Sequence, residues 1–527
     1  MGQGAAVTDR ACGVTRRMLL AGAALPWAGC APPPGVTGAL MGASAERGHL
    51  LRAPRPGGAP VAGGKVHVLI AGGGVAGLAA ARALRARGIE DFALLELEDT
   101  AGGNSRGGEV SGIACPWGAH YLPVPGDDAR EVQALLEELG LRRRVAGRWT
   151  YDERHLCHAP QERLYIDGQW QEGLLPVLGV GATTLSQYAR FASRVESLRR
   201  ADRFTIPAPR NAPAAHRALD ALSFARWLAA EGLDDAHLRW YLDYCCRDDY
   251  GAGAAEVSAW AGIHYFASRH GFQPPGAEGA ERDAVLTWPE GNAWLTRALA
   301  APLGDRVRTG RVVLRIAEQR AGVEIDAWNA ATRAVERWQA RHCIVALPAF
   351  VAARVVEQAP PALRLRAGHT RYAPWAVVNV HLREPLRDRG GAAPAWDNVL
   401  YGAPGLGYVD ARHQSLDPRP GPTVLSCYRA PGEAARAAML ARDWRGWLGE
   451  VVDELSGPHP DLRDKATRAE VARYGHAMAI PRPGTLGLPG AADAATARLS
   501  FAHADWAGYS IFEEAFTLGH LGAGRVR

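Results

Sequence analysis

An unbroken apolar run, Val66-His67-Val68-Leu69-Ile70-Ala71, has the length of a strand buried on both faces. After it the period changes: a turn Gly72-Gly73-Gly74-Val75-Ala76-Gly77 leads into an Ala-rich helical stretch, and Phe92 to Glu96 reads as a second strand ending in an acid. A strand, a Gly-x-Gly-x-x-Gly turn, a helix, a strand and an acid at these spacings predict a dinucleotide-binding βαβ unit. Gly72 permits the tight turn, Gly74 lets the backbone approach a pyrophosphate, and Gly77 lets the helix pack closely on the strand. The helix start at Val75 and Ala76 offers unpaired N–H groups to phosphate. Glu96, 19 residues beyond Gly77, is placed to accept hydrogen bonds from an adenosine ribose. A carboxylate there repels a 2′-phosphate, which disfavours NADP.

The rest of the pattern is mixed. Arg163 to Trp170 reads as a hairpin turning at Asp167-Gly168. Helices are expected at Ser223–Glu231 and His237–Cys246, strands at Val377–Leu382 and Thr423–Tyr428, and an amphipathic helix from Glu433 to Leu455. Residues 31–64 are rich in Pro, Gly and Ala without hydrophobic period and read as a linker without fold. Arg142-Arg143-Arg144 reads as a solvated helix end.

Glu96 followed by Gly102-Gly103-Asn104-Ser105-Arg106 resembles the Glu-x5-Gly-Gly extension of the FAD-binding superfamily that contains flavin amine oxidases and phytoene desaturases. The resemblance implies that Gly102 and Gly103 also lie along the FAD pyrophosphate. Asn104 stands where Arg is usual, with Arg106 as the substitute charge. Pro116-Trp117-Gly118-Ala119-His120-Tyr121 is similar to the family's Gly-Ala-His segment, which approaches the isoalloxazine ring. Val313 matches the strand that contacts adenine through its backbone, and Cys343 to Pro348 matches the strand returning to the nucleotide domain. Leu499 to Asp505, then Tyr509 to Ala515 and Gly519, are similar to the last strand and helix. There Asp505 is implied to bind ribityl or phosphate groups, and Ser510 and Ile511 to start a helix facing the flavin pyrimidine, with Ser510 as its cap. Glu514 and His503 occupy positions where Gly is usual. The implied fold is α/β: a three-layer, Rossmann-like FAD domain with a mixed parallel sheet (65–150, 281–349 and 480–527) and an inserted α+β substrate domain (151–280 and 350–479).

Chemistry enters through what is present and what is missing. Monoamine and polyamine oxidases generally hold a water at the flavin with a lysine, yet the only lysines here are Lys65 and Lys465, neither suitably placed in sequence. His120, Trp506 and Tyr509 are the catalytic candidates, with Tyr241 to Gly271 as a polar and aromatic stretch nearby. No cysteine resembles a covalent flavin attachment point, so FAD is expected noncovalent, and Cys245-Cys246 reads as core packing rather than a vicinal disulfide. No Cys/His cluster has metal-ligand spacing. No second nucleotide motif follows a strand, so a nicotinamide site is not expected. Three functions stay open: an amine oxidoreductase passing electrons to dioxygen or a quinone, a desaturase of a lipid or isoprenoid, and a non-catalytic flavoprotein.

The first 30 residues speak to location. Arg16-Arg17, a short apolar run and small residues before Cys30 read as a twin-arginine export signal, so the translocation machinery is an expected partner and the periplasm or cell envelope the destination. Trp27-Ala28-Gly29-Cys30 resembles a lipoprotein cleavage site and leaves a lipid anchor at Cys30 open. A net charge of +5 over 527 residues gives no nucleic-acid reading. The remaining partner is a small-molecule substrate.

Overall fold

Two β-sheets, each assembled from stretches far apart in sequence, organise the chain. The computed structural model describes residues 35–52, 59–209, 211–276, 284–417 and 419–527. Residues 1–30, read above as an export signal ending at Cys30, lie outside them.

The first sheet has a parallel core ordered Val307–Arg308, Phe92–Leu95, Val61–Ala71, Ala334–Val345. The second half of Ala334–Val345 also pairs in parallel with Leu499–Phe501, and its first half continues an antiparallel meander through Val323–Asn329 to Arg311–Glu318. The apolar run explains why this core forms. Val68 and Ile70 pack on one face with the helices Val75–Ala86 and Phe512–Gly524, while Leu69 and Ala71 pack on the other with Ala349–Val355 and Pro361–His369. A strand covered on both faces needs apolar side chains at every position, and the result is the three-layer α/β arrangement with a mixed parallel sheet.

The second sheet has eight strands in the order Thr37–Gly42, Ala466–Ile480, Arg371–Leu382, Thr423–Arg429, Tyr408–Asp410, Asp397–Leu400, Glu162–Ile166, Gln169–Glu172. The helices Ala182–Ala201, Phe224–Ala230, Ala236–Tyr250 and Ala259–Ala267 cover one face, and Trp444–Leu455 lies on the other. Arg163 pins one end: its guanidinium stacks 3.9 Å over Trp170, donates to Asn398 Oδ1 at 2.6 Å and pairs with Asp388. The hairpin turn falls at Asp167 and Gly168, both at positive φ (50° and 82°). Cys245 and Cys246 are buried free thiols in the core.

Three expectations are corrected. The stretch 31–64 is not a featureless linker: Thr37–Gly42 is a strand paired in parallel with Arg468–Arg473, and Ala45–His49 is a short helix capped by Ser44. Its small residues hid it, and they have a reason, since a Cβ on Gly38 would lie 2.5 Å from the Trp444 ring. Arg142–Val145 is a strand rather than a helix end, with buried Arg142 held 2.9 Å from Glu137 and 3.8 Å over the Trp149 ring. The helix expected over Glu433–Leu455 breaks at Arg442, because Asp443 accepts from Gly446 N–H and starts a new helix, Trp444–Leu455. Among the described residues no helix is long and apolar enough to cross a membrane, and no group of His, Cys, Asp and Glu is arranged to hold a metal.

Candidate functional site

The turn after Val61–Ala71 is built from backbone contacts. Gly72 has φ +105°, and a Cβ there would lie 2.3 Å from the Ala346 carbonyl oxygen; a Cβ on Gly77 would lie 1.9 Å from the Gly72 carbonyl oxygen. Both positions are glycine because the fold leaves no room. Gly74 differs: a Cβ there would meet nothing nearer than Gly103 Cα at 3.7 Å. The protein does not explain that glycine, and an incoming group does. Gly74 is the N-cap of Val75–Ala86 and supplies no side-chain hydrogen bond, so the first-turn N–H groups of Val75, Ala76 and Gly77 point toward this space without a capping side chain.

The second glycine pair lies against the first. Gly102 N–H donates to the Gly73 carbonyl at 2.8 Å, and Gly74 and Gly102 form a parallel bridge. Arg106 follows, buried, with Nε unpartnered and Nη1 3.7 Å from Glu98 Oε2. A buried guanidinium with an unused donor beside an open glycine cradle fits the two negative charges of a pyrophosphate. Asn104, at the position where Arg is usual, donates from its amide to the Ala477 carbonyl in the second sheet.

Glu96 is 7 % exposed and fixed from two sides: Oε2 accepts from Gly73 N–H at 2.7 Å and Oε1 from Glu98 N–H at 2.8 Å. Burial raises its carboxyl above the ordinary range, while those two backbone donors and Arg106 pull it back. Glu96 N–H donates to the Arg308 carbonyl, and the Glu96 carbonyl accepts from Arg311 N–H. The strand bearing Val313 therefore starts beside Glu96.

The segment from Pro116 to Tyr121 is clamped between the sheets. Asn379 donates to the Pro116 carbonyl at 3.0 Å, Tyr474 to the Trp117 carbonyl at 2.9 Å and Tyr428 to the Gly118 carbonyl at 3.3 Å. A Cβ on Gly118 would lie 2.1 Å from the Asn104 carbonyl oxygen, which itself accepts from Ala119 N–H. His120 projects beyond the clamp, its ring stacked 4.3 Å from Tyr428 and lying 4.9 Å from Tyr121 and 5.3 Å from Trp396. Burial lowers its pKa to about 3, so it is a neutral ring at neutral pH.

At the chain's end the motif is in place, but several side chains do other work than the resemblance implied. Asp505 Oδ2 accepts from Ala349 N–H at 2.8 Å and from the Tyr372 hydroxyl at 2.6 Å, and Oδ1 lies 3.0 Å from His503 Nδ1. Its carboxylate ties the start of the helix Ala349–Val355 to Tyr372 of the second sheet. Ser510 is not the helix cap: Ile511 is, and Ser510 Oγ accepts from Ala479 N–H. Trp506 packs on Phe501 in the core behind the first sheet, whereas Tyr509 lies with Trp260 and His264 in the other core and donates to Glu514 Oε1 at 2.6 Å. Neither ring packs on His120, so the three candidates are not brought together. Both lysines lie elsewhere: Lys65 is exposed, and Lys465 Nζ pairs with Asp461 at 2.8 Å.

What the sequence did not reveal is a cluster of buried acids around Tyr121 and Tyr428, two of the rings that pack on His120. Glu162 and Asp397 are register partners on adjacent parallel strands. Asp248, from Ala236–Tyr250, acts with Asp397 on Tyr121, Tyr244 and Tyr428. Burial, then Asp248 and Glu162, hold the Asp397 carboxyl well above its ordinary range; burial, then Asp249, push Asp248 up to about 7. Arg269 offsets part of this, 3.4 Å from Asp249. Only Asp248 and Asp249 carried a local signal; Asp397 and Glu162 meet through pairing of distant strands.

A family model for flavin-containing amine oxidoreductases matches residues 75–527, and the chain belongs to that family. It is a flavoprotein oxidoreductase with FAD as cofactor. It is 25 % identical over 414 residues to an L-amino acid dehydrogenase of Synechocystis sp., covering 74 % of this chain and 81 % of that one. In structure it is similar to putrescine oxidase bound to putrescine (TM-score 0.66, 18 % identity, 87 % of this chain and 98 % of the other). It is also similar to cyclohexylamine oxidase from Brevibacterium oxydans (TM-score 0.62, 18 % identity, 88 % and 98 %). At those identities the likeness to the two solved structures is one of fold.

The glycines separate cofactor from fold. Gly74→Val should lose FAD while melting at the temperature of wild-type apoprotein, whereas Gly77→Ala should cost about 1–3 kcal/mol of stability through backbone overpacking. Stoichiometric FAD in purified Gly74→Val would refute the cradle. A second outcome concerns Glu514, whose carboxyl burial pushes from 4.5 up to about 7. The native state then binds this proton more tightly than the unfolded chain, so ionisation costs nothing below pH 4.5, costs progressively more as pH rises toward 7, and levels off above. Glu514→Gln keeps the acceptor for Tyr509 and removes the ionisation. Its stability relative to wild type in denaturant titrations should climb with pH across that window by up to about 1.4 kcal/mol per pH unit. A pH-independent difference would mean that Glu514 titrates normally.

Proposed function

We propose that this protein oxidises a positively charged amine at the carbon next to nitrogen, with FAD as hydride acceptor and dioxygen or a quinone as the final oxidant. The observation that carries the amine reading is the acid cluster around Tyr121 and Tyr428, where Glu162, Asp397 and Asp248 bring like charges together in a buried, aromatic setting one ring away from His120. Such carboxyls either keep protons or are neutralised by a cation, and a bound ammonium group does the latter while stacking against Tyr121, Tyr428 and Trp396. The fold shared with putrescine oxidase and cyclohexylamine oxidase supports the same substrate class.

Bound FAD supplies the acceptor for the hydride and its two electrons. The chain's residues bind the cation through the carboxyls and exclude water with the aromatic rings. Asp248, with a carboxyl near 7, can take the proton that the ammonium must lose before its carbon gives up hydride. The neutral His120 ring adds an uncharged wall and no repulsion to a cation. With no lysine at the site, the chain departs from the family's usual water-holding group. We also infer from Arg16-Arg17 that the enzyme works after export to the cell envelope.

Anaerobic mixing of the purified holoprotein with monoamines, diamines and apolar alkenes tests the substrate class. Amines should bleach the flavin, and Asp397→Asn should raise the amine concentration for half-maximal bleaching by roughly tenfold, the loss of one charged contact. Bleaching by alkenes alone, or by nothing offered, would overturn the reading.

A further inference from the structure

The stretch 37–52 is the part of the fold that the sequence read as linker, and it makes contacts that neither sheet needs. Its strand lies at the edge of the second sheet, with Gly38 under Trp444 and Gly42 against Ala472. The chain then crosses to the first sheet. Ser44 N–H donates to Glu98 Oε1 at 2.8 Å. Arg47 donates from Nη1 to the Leu97 carbonyl at 3.0 Å and pairs through Nη2 with Asp99 at 2.8 Å. Beyond the short helix, the Leu51 carbonyl accepts from Arg354. Three successive residues after the ribose acid, Leu97, Glu98 and Asp99, are thus held from one side by this stretch, and from the other Gly310 N–H donates to the Glu98 carbonyl at 2.8 Å.

We propose that residues 37–52 form a strap belonging to the adenosine half of the FAD site, positioning Glu96 and Arg106 through the turn 97–99. The inference rests on FAD being the cofactor. Two connections carry it. Glu98 N–H is one of the two donors fixing the Glu96 carboxylate, at 2.8 Å from Oε1, so the orientation of the 97–99 turn sets the direction in which Glu96 presents its remaining lone pairs. Glu98 also controls Arg106. Ser44 engages one carboxylate oxygen, and the other stands 3.7 Å from Arg106 Nη1, too far for a closed hydrogen-bonded pair. The Arg106 Nε stays unpartnered. Released from Ser44, the Glu98 carboxylate would be free to close on Arg106 and compete with the pyrophosphate for it. The strap acts through other residues and touches the cofactor with none of its own named groups.

The two halves of the cofactor give the test. In the full-length protein, Arg47→Ala removes both contacts of that side chain, and Gly38→Val unseats the strand against Trp444 and the Ala469 carbonyl. Apoprotein is titrated with FAD, and ADP and FMN are used as competitors for the same site. In both variants the dissociation constants for FAD and for ADP should rise by about tenfold, the value of one charge-assisted hydrogen bond, while that for FMN, which has no adenosine ribose and only one of the two phosphates, rises clearly less than that for ADP. Arg47→Lys, which restores a cation for Asp99, should recover part of the ADP affinity. Unchanged FAD affinity in both variants would overturn the proposal. Equal weakening of ADP and FMN would overturn it too, because that is the signature of a general packing role. Wild-type apoprotein that takes up no FAD would instead contradict the cofactor assignment itself.

Discussion

The buried carboxylate of Glu96 is the constraint from which the nucleotide half is organised. Taking an acid to 7 % exposure is costly unless donors meet it, and two backbone N–H groups do, from Gly73 and Glu98. Meeting them fixes the glycine turn against the end of the second strand, which in turn fixes where Val75–Ala86 begins. The same carboxylate leaves capacity for a ribose. The residues on either side of it, Gly74 and Arg106, are the ones whose properties the protein alone does not use up.

The second organising fact is how the two sheets are fastened. Asn104 reaches Ala477, Asp505 reaches Tyr372, Ser510 receives Ala479, and Asn379, Tyr428 and Tyr474 hold the carbonyls of Pro116, Gly118 and Trp117. Each ties a strand of the second sheet to a segment outside it, and three of them hold the segment that leads to His120. A neutral His120 ring and the aromatic residues around it are thereby held on rigid elements, with the buried acids one layer beyond, the arrangement on which the proposed binding of a cation rests.

Much of this was legible in local spacing, because the nucleotide turn is a local object: Gly72, Gly77 and Glu96 have roles that depend on neighbours within one βαβ unit. The strand Thr37–Gly42 was not legible, since its small residues are chosen by Trp444 and Ala472, which are distant in sequence. Asp505 and Ser510 occupy the motif positions expected of them, yet their side chains turn to Tyr372, Ala349 and Ala479, partners no local pattern names. Asp397 and Glu162 escaped for the same reason: they become a pair only when parallel strands from separate insertions align in register. Trp506 packs on Phe501, a placement its sequence position did not announce, because an aromatic residue near a motif looks the same whether it faces a ligand or a core.

The most direct measurement is the affinity of FAD for Glu96→Ala apoprotein, compared with wild type by fluorescence titration. Loss of one charged acceptor for the ribose should weaken binding by roughly 10- to 150-fold, equivalent to ~1.5–3 kcal/mol, with the far-ultraviolet circular dichroism spectrum unchanged. Wild-type affinity in a folded Glu96→Ala protein would contradict the placement of the adenosine at this carboxylate, and with it the account of the site built around it.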